Sequence, residues 1–373
     1  MYNKMKILHM TPPIVNNGIY RYIFNNWEYM DHNRFEFSFL MQAPEELMKT
    51  DEWKKYRFEI RYFSIPQRVD PDRFRKEIYN ILSDGYDVIH LHTSYWRGFM
   101  IEEIAMELGI PRVIVHSHSS FIDQNDAIER ERQLEIHTKL KSKFSSEYAT
   151  DYWACSKVAA DWLYGPNIPR ERIKILPNAI DIDKFKYSED VRIKLRRKYH
   201  LEDKLVLGCV GRFEYQKNQT FLIDILKKLQ DKGHDAFLIL IGEGDKENEL
   251  RKKVHEYGLD DSILFAGWKN DVNNWLQAFD IFVLPSLFEG FPISLIEAQS
   301  SGLECIVSDT ITRDSKINDN VYFYELDIDK WVEKISDYST EIDRKMGSAN
   351  VKLAGYDLVD AAKLLEDYYL NKC

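Results

Sequence analysis

The sequence predicts an α/β protein of two Rossmann-like, doubly wound parallel-sheet domains, and three observations predict it. Short β-branched runs alternate with helix-period segments through the first half. The alternation restarts at LVLGCVG in the second half. The chain's 373 residues also exceed what one ordinary core fills. Hydrophobic content of 44% and charged content of 30% suit a globular chain.

In chain order, KILHM reads as a strand and IYRYIFNNWEYM as the helix after it. FEFSFLM and FEIRYFSI follow as strands, DRFRKEIYNILSD as a helix, DVIHLHT as a strand, MIEEIAMEL as a helix and PRVIVHS as a strand. QLEIHTKLKSKFSSEYATDYWACS reads as helix then strand, and KVAADWLYG as a short helix. IKILPNAIDIDKF carries the Pro and Asn punctuation of a connection. The expected domains are therefore 1–183 and 184–355. In the second, the strands LVLGCVG, AFLILIG, ILFAG, IFVLP and LECIVSD alternate with helices at NQTFLIDILKKLQDKG, ENELRKKVHEYG, VNNWLQAF and ISLIEAQSSG, the last stopped by Gly302. The segment 356–373 carries an apolar stripe, Leu358, Ala361, Ala362, Leu364, Leu365 and Tyr368, and is expected to cross back to the first domain.

A net charge of −10 argues against general nucleic-acid binding. The four cysteines are far apart and suggest neither a disulfide framework nor a zinc spacing. The start MYNKMKILHM is too short for a signal peptide, and no run approaches the roughly 18 apolar residues of a membrane span, so a cytoplasmic protein is expected. WKKYRFEIRYF interleaves Lys54, Lys55, Arg57 and Arg61 with aromatics. That pattern suits either peripheral contact with an anionic inner-membrane face or the charged guard of an exposed strand edge.

Ligands of such folds sit at the carboxyl ends of strands, where loops enter helices. Glu289 and Glu297 bracket the start of the helix ISLIEAQSSG, whose N–H groups suit phosphate oxygens, leaving the acids for hydroxyls. The alternative is a pair of solvated surface acids. VGRFEYQKN puts Arg212 and Lys217 just before a helix, a diphosphate clamp or a basic surface loop. Gly18 stands where a helix follows the first strand and admits a ligand close to the backbone, or marks a turn. His116 and His118 share a strand's period and face one side. A metal there would need further ligands that the sequence does not place. IGEG lacks the third glycine of a dinucleotide fingerprint, no GxSxG occurs, and the Asp-Ile-Asp triplets at 181–183 and 327–329 are weak metal candidates.

These motifs together, with IPRVIVHSHS, ACSKVAADWLYG, LPNAIDIDKF, FAGWKNDV and PSLFEGFPISLIEAQSSGL, resemble the GT-B glycosyltransferases of family 4, of the bacterial surface-polysaccharide type. The resemblance covers nearly the whole chain and implies two domains facing a central cleft. It implies a retaining hexosyltransferase that needs no metal and no cofactor. The nucleotide-sugar, with uridine diphosphate the commonest carrier, is a co-substrate, and the acceptor is a glycan or lipid-linked glycan. It also implies that Arg212 and Lys217 bind the diphosphate, that Glu289, first acid of the E-x7-E motif, contacts the donor sugar, and that Glu297 holds the ribose. Gly290 and the backbone at Phe291, Ser294 and Leu295 would line the sugar and phosphates, Trp268 and Lys269 the base, and either His116 or His118 the donor sugar. Pro292 supplies no N–H, and Ala179 stands where the family usually has glycine. A catalytically silent sugar-nucleotide binder, or an epimerase or phosphorylase on this fold, is the alternative.

Overall fold

In the computed structural model the described residues are 3–11, 17–42, 44–338 and 343–370. Seven strands, β1 (Met5–Met10), β2 (Phe35–Met41), β3 (Glu59–Tyr62), β4 (Val88–Thr93), β5 (Arg112–Ser117), β6 (Asp151–Ala154) and β7 (Ile173–Ile175), form one parallel sheet in the order β3-β2-β1-β4-β5-β6-β7. Six more, β8 (Leu205–Val210), β9 (Ala236–Ile241), β10 (Ile263–Gly267), β11 (Ile281–Leu284), β12 (Glu304–Ser308) and β13 (Val321–Tyr324), form a second in the order β10-β9-β8-β11-β12-β13. In each sheet the chain winds outward in one direction and then returns to the other side of its first strand. The order therefore reverses between β1 and β4, and again between β8 and β11. At such switch points the loops diverge and leave a crevice at the strands' carboxyl ends.

One compact unit comprises residues 1–122, 128–178 and 358–373, and the other 123–127 and 179–357. The short segment Asp123–Ala127 thus belongs with the second unit, which sequence order does not reveal. In the first unit, Ile7, Ile23, Phe24, Phe37, Phe39, Val88 and Trp153 share a core with Ala362, Leu365 and Tyr369 of the helix Leu358–Tyr369. The second core joins Leu207, Leu226, Leu238, Val283 and Ile306 with Trp331 of the helix Ile328–Ser336. Among the described cysteines, Cys155, Cys209 and Cys305 are buried, as small apolar side chains in strands or at their ends.

Some local expectations change. Trp53 to Tyr56 are not edge strand. They end the helix Asp51–Tyr56, capped by Thr50, and Arg57 then takes a left-handed conformation before β3. Thr50 followed by two acids is a helix start that the aromatic–basic alternation masked. β3 is the sheet's edge strand, and the charges about it are paired: Lys55 with Glu28 at 2.7 Å, and Arg61 with Glu59 at 2.9 Å and Asp84 at 2.8 Å. The Asp-Ile-Asp triplets are helix starts. Asp181 and Asp327 accept from the backbone N–H of Lys184 and Lys330, while Asp183 and Asp329 pair with Lys186 and Lys228.

Candidate active site

The β8 and β11 loops meet at the second sheet's switch point, and each carries half of an ion-pair cluster. Glu289, on the loop after β11, is buried, and one carboxylate oxygen accepts from Lys217 Nζ at 2.6 Å and from Ser286 Oγ at 2.7 Å. Its other oxygen accepts from Gln216 Nε2 at 3.0 Å, and that amide also donates to the Phe288 carbonyl at 2.9 Å. Burial of this kind costs several kcal/mol per charge unless the partner and remaining lone pairs are satisfied, and here they are. Arg212, on the loop after β8, donates to Asp123 Oδ2 at 2.7 Å, and Asp123 Oδ1 accepts from the backbone N–H of Gln216 at 3.1 Å. Asn125 closes the arrangement, accepting from the Tyr215 N–H at 2.9 Å and donating to Glu214 at 2.7 Å.

Glycine explains how the loops approach each other. Gly242 has φ +142°, and a Cβ there would lie 2.1 Å from the Gly211 carbonyl oxygen, so IGEG is a close-packing device beneath the Arg212 loop. After β11, Gly290 and Phe291 are buried, Phe291 stacks on Tyr356 at 5.5 Å, and the helix runs Ile293–Ser300 with Pro292 at its cap. Gly302, at φ +69°, ends it in the left-handed cap conformation. Ser294 is half-buried in the first turn, and the Leu295 N–H donates to the Pro292 carbonyl at 3.1 Å. Glu297 lies on the same helix and is buried, so it is no solvated surface acid. Trp268 and Lys269 are half-buried after β10. The Trp268 N–H donates to Glu243 of IGEG at 3.2 Å, and the Lys269 ammonium lies 5.5 Å from the Trp275 ring.

In the first unit, Gly18 begins the helix Gly18–Tyr29, capped by Asn17, whose side chain accepts from the N–H groups of Ile19 and Tyr20. Beside it, five imidazoles line one face of the sheet. Strand register opposes His9 to His90 and His92 to His116, and the two-residue spacing puts His90 with His92 and His116 with His118. Ring nitrogens of His9, His90 and His92 lie within 4.8 Å of one another, as do those of His92, His116 and His118. Burial pushes the pKa of His9 and of His118 down to about 3, and those of His90, His92 and His116 well below the ordinary value, so the cluster is neutral at pH 7.

Sequence reasoning missed Asp123, Asn125, Gln216 and Ser286, the groups that orient Arg212 and Glu289. Only the polar run DQN after HSHSS hinted at the first two. It also missed His9, His90 and His92, although the HLH of DVIHLHT repeats the HSH spacing.

The family profile "Glycosyltransferase Family 4" matches residues 16–184, and "Glycosyl transferases group 1" matches residues 191–349. EpsF of Bacillus subtilis (strain 168), named as a glycosyltransferase, is 29% identical over 314 residues, covering 83% of this chain and 80% of its own. The UDP-Gal:alpha-D-GlcNAc-diphosphoundecaprenol alpha-1,3-galactosyltransferase of Escherichia coli is 24% identical, covering 99% and 98%. Among solved structures, Anabaena HepE in complex with UDP-glucose superposes with a TM-score of 0.78 at 18% identity, covering 99% of this chain and all of that one. That identity speaks for the fold alone.

Proposed function

This chain belongs to the family 4 glycosyltransferases, with the GT-B fold, and we propose that it moves a sugar from a uridine diphosphate sugar to a hydroxyl of a glycan, with retention of anomeric configuration and without a metal. The observation that carries this reading is the buried Lys217–Glu289 pair at the β8/β11 switch point, set beside the Asp123-anchored Arg212. An ammonium has three donors and a guanidinium five. Lys217 can therefore keep Glu289, and Arg212 keep Asp123, while both turn further N–H groups to a diphosphate. Glu289, fixed by Ser286, Lys217 and Gln216, accepts from donor-sugar hydroxyls, and Glu297 from the ribose. The polysaccharide setting and the lipid-linked acceptor rest on what the relatives are named for.

In the proposed reaction the bond from the anomeric carbon to the diphosphate oxygen breaks. The acceptor oxygen bonds to that carbon on the same face, and the acceptor's proton passes to the leaving phosphate. Arg212 and Lys217 stabilise the charge that grows on the phosphate, an electrostatic effect worth about 3 kcal/mol per donor. The test is transfer from UDP-sugars in the presence of chelator, with the anomer of the product read by NMR. An α-linked product from an α-donor with chelator present is expected. An inverted product, or activity restored only by a divalent cation, contradicts the proposal.

A further inference from the structure

The five imidazoles of the first sheet are not equivalent. Three of them form a line running from the core to the strand ends. His9 Nδ1 lies 2.9 Å from His92 Nε2, and His92 Nδ1 lies 2.8 Å from His118 Nε2. The other two form a separate line, with His116 Nδ1 3.2 Å from His90 Nε2 and His90 Nδ1 2.7 Å from the Tyr369 hydroxyl. The His90 ring stacks on His92 with centroids 4.1 Å apart and steadies it.

A neutral imidazole carries one N–H and one lone pair, so each link must be N–H···N and all links along a line must point the same way. The three rings of the first line therefore share one tautomer. Which one is decided at the buried end. His9 Nε2 is buried and has no hydrogen-bond partner, and its ring packs on Phe37 with centroids 4.2 Å apart and on Phe39 at 5.8 Å. A proton on that nitrogen would strand an N–H against aromatic rings, whose faces are weak acceptors. A bare lone pair there costs less. The proton thus sits on Nδ1 of His9, which donates to His92. His92 Nδ1–H donates in turn to His118 Nε2, and the proton of His118 is left on Nδ1. Among the described residues no hydrogen-bond partner meets that Nδ1.

We propose that His9 and His92 are positioning residues that hold His118 as its Nδ1–H tautomer, so that this ring offers the donor sugar a hydrogen-bond donor and not an acceptor. This takes His118, of the two histidines that the family resemblance leaves open, as the one that contacts the donor sugar. It also separates His118 from His116, whose ring belongs to the other line. A shared metal ion would take lone pairs that the N–H···N links of this line engage, so a bound ion and this line of links are alternatives at these nitrogens.

The test is 15N NMR of the imidazoles in protein labelled at histidine, at pH 7, with assignments from single-histidine variants. His9, His92 and His118 are each expected as neutral rings protonated at Nδ1. A His118 ring protonated at Nε2, an imidazolium among the three, or added zinc that shifts all three rings and raises Tm overturns the proposal. As a functional check, His92→Leu is expected to lower kcat for transfer about tenfold with donor KM little changed. His92→Asn, whose amide N–H replaces Nδ1–H, is expected to recover most of it. Equal loss in both variants contradicts a positioning role. If the wild-type protein transfers no sugar at all, the tautomers still decide this proposal, and the failure falls on the function alone.

Discussion

Lys217 and Glu289 form a buried ion pair, and its structural role and the proposed functional one separate by mutation. Lys217→Met removes the cation from the buried Glu289 carboxylate, which keeps its hydrogen bonds from Ser286 and Gln216, and should cost about 3 kcal/mol of stability. Adding Glu289→Gln removes the stranded charge and should return most of that loss. Neither single nor double variant should transfer sugar at more than about a hundredth of the wild-type rate. Urea unfolding beside initial rates checks both parts, and a double variant that regains activity along with stability would break the assignment. His9 yields a prediction of opposite origin. Its folded pKa is pushed down to about 3 by burial, while an unfolded histidine titrates near 6.5. Above pH 6.5 neither state takes the proton and stability is flat. Below it only the unfolded chain does, so stability falls on acidification, by about 2 kcal/mol for this ring between pH 6.5 and 5. The loss continues towards pH 3. Urea midpoints at pH 7 and pH 5 measure it, and equal midpoints would contradict a buried neutral cluster.

At the scale of elements, the glycines beneath the Arg212 loop are the sharpest constraint. Gly242→Ala would place a Cβ 2.1 Å from the Gly211 carbonyl oxygen at a φ of +142°. The loop must shift, and stability should fall by about 1–3 kcal/mol, with nucleoside diphosphate affinity falling too. Calorimetric titration of the variant with UDP checks this, and wild-type affinity would mean the loop does not hold phosphate. The strands were legible because a parallel sheet covered on both faces demands unbroken apolar runs such as LVLGCV, AFLILI and IFVL, and Gly302 announced its helix end. Amphipathic surface elements were less so. The helix Glu189–Lys198 has no apolar run, and its Arg196 is buried against Asp280, a contact distant in sequence. The same limit applies to the site. Arg212, Lys217 and Glu289 stand in recognisable loops, whereas Asp123 reaches Arg212 only through tertiary folding.

For the molecule as a whole, chain order and unit membership differ, because residues 358–373 belong with the first unit. Leu358, Ala362, Leu365 and Tyr369 of the last helix are buried, and the Tyr369 hydroxyl meets His90. Ending the chain at Asp357 should therefore cost the first unit more than about 5 kcal/mol, as much as a marginal domain has. The expected result is a first unit without a cooperative transition beside a second that keeps its own, read by near-UV circular dichroism on heating. The central claim concerns the whole protein as a metal-free binder of a uridine diphosphate sugar through Arg212, Lys217 and Glu289. Its most direct test is thermal stabilisation by a panel of nucleoside diphosphates and their sugars, with chelator present, on the wild type and on Lys217→Met with Glu289→Gln. At about a hundred times Kd, ligand adds roughly 2.7 kcal/mol, a shift of several degrees. The account predicts such a shift with UDP and UDP-sugars for the wild type and its loss in the variant. No shift with any uridine ligand, or an equal shift in the variant, would contradict it.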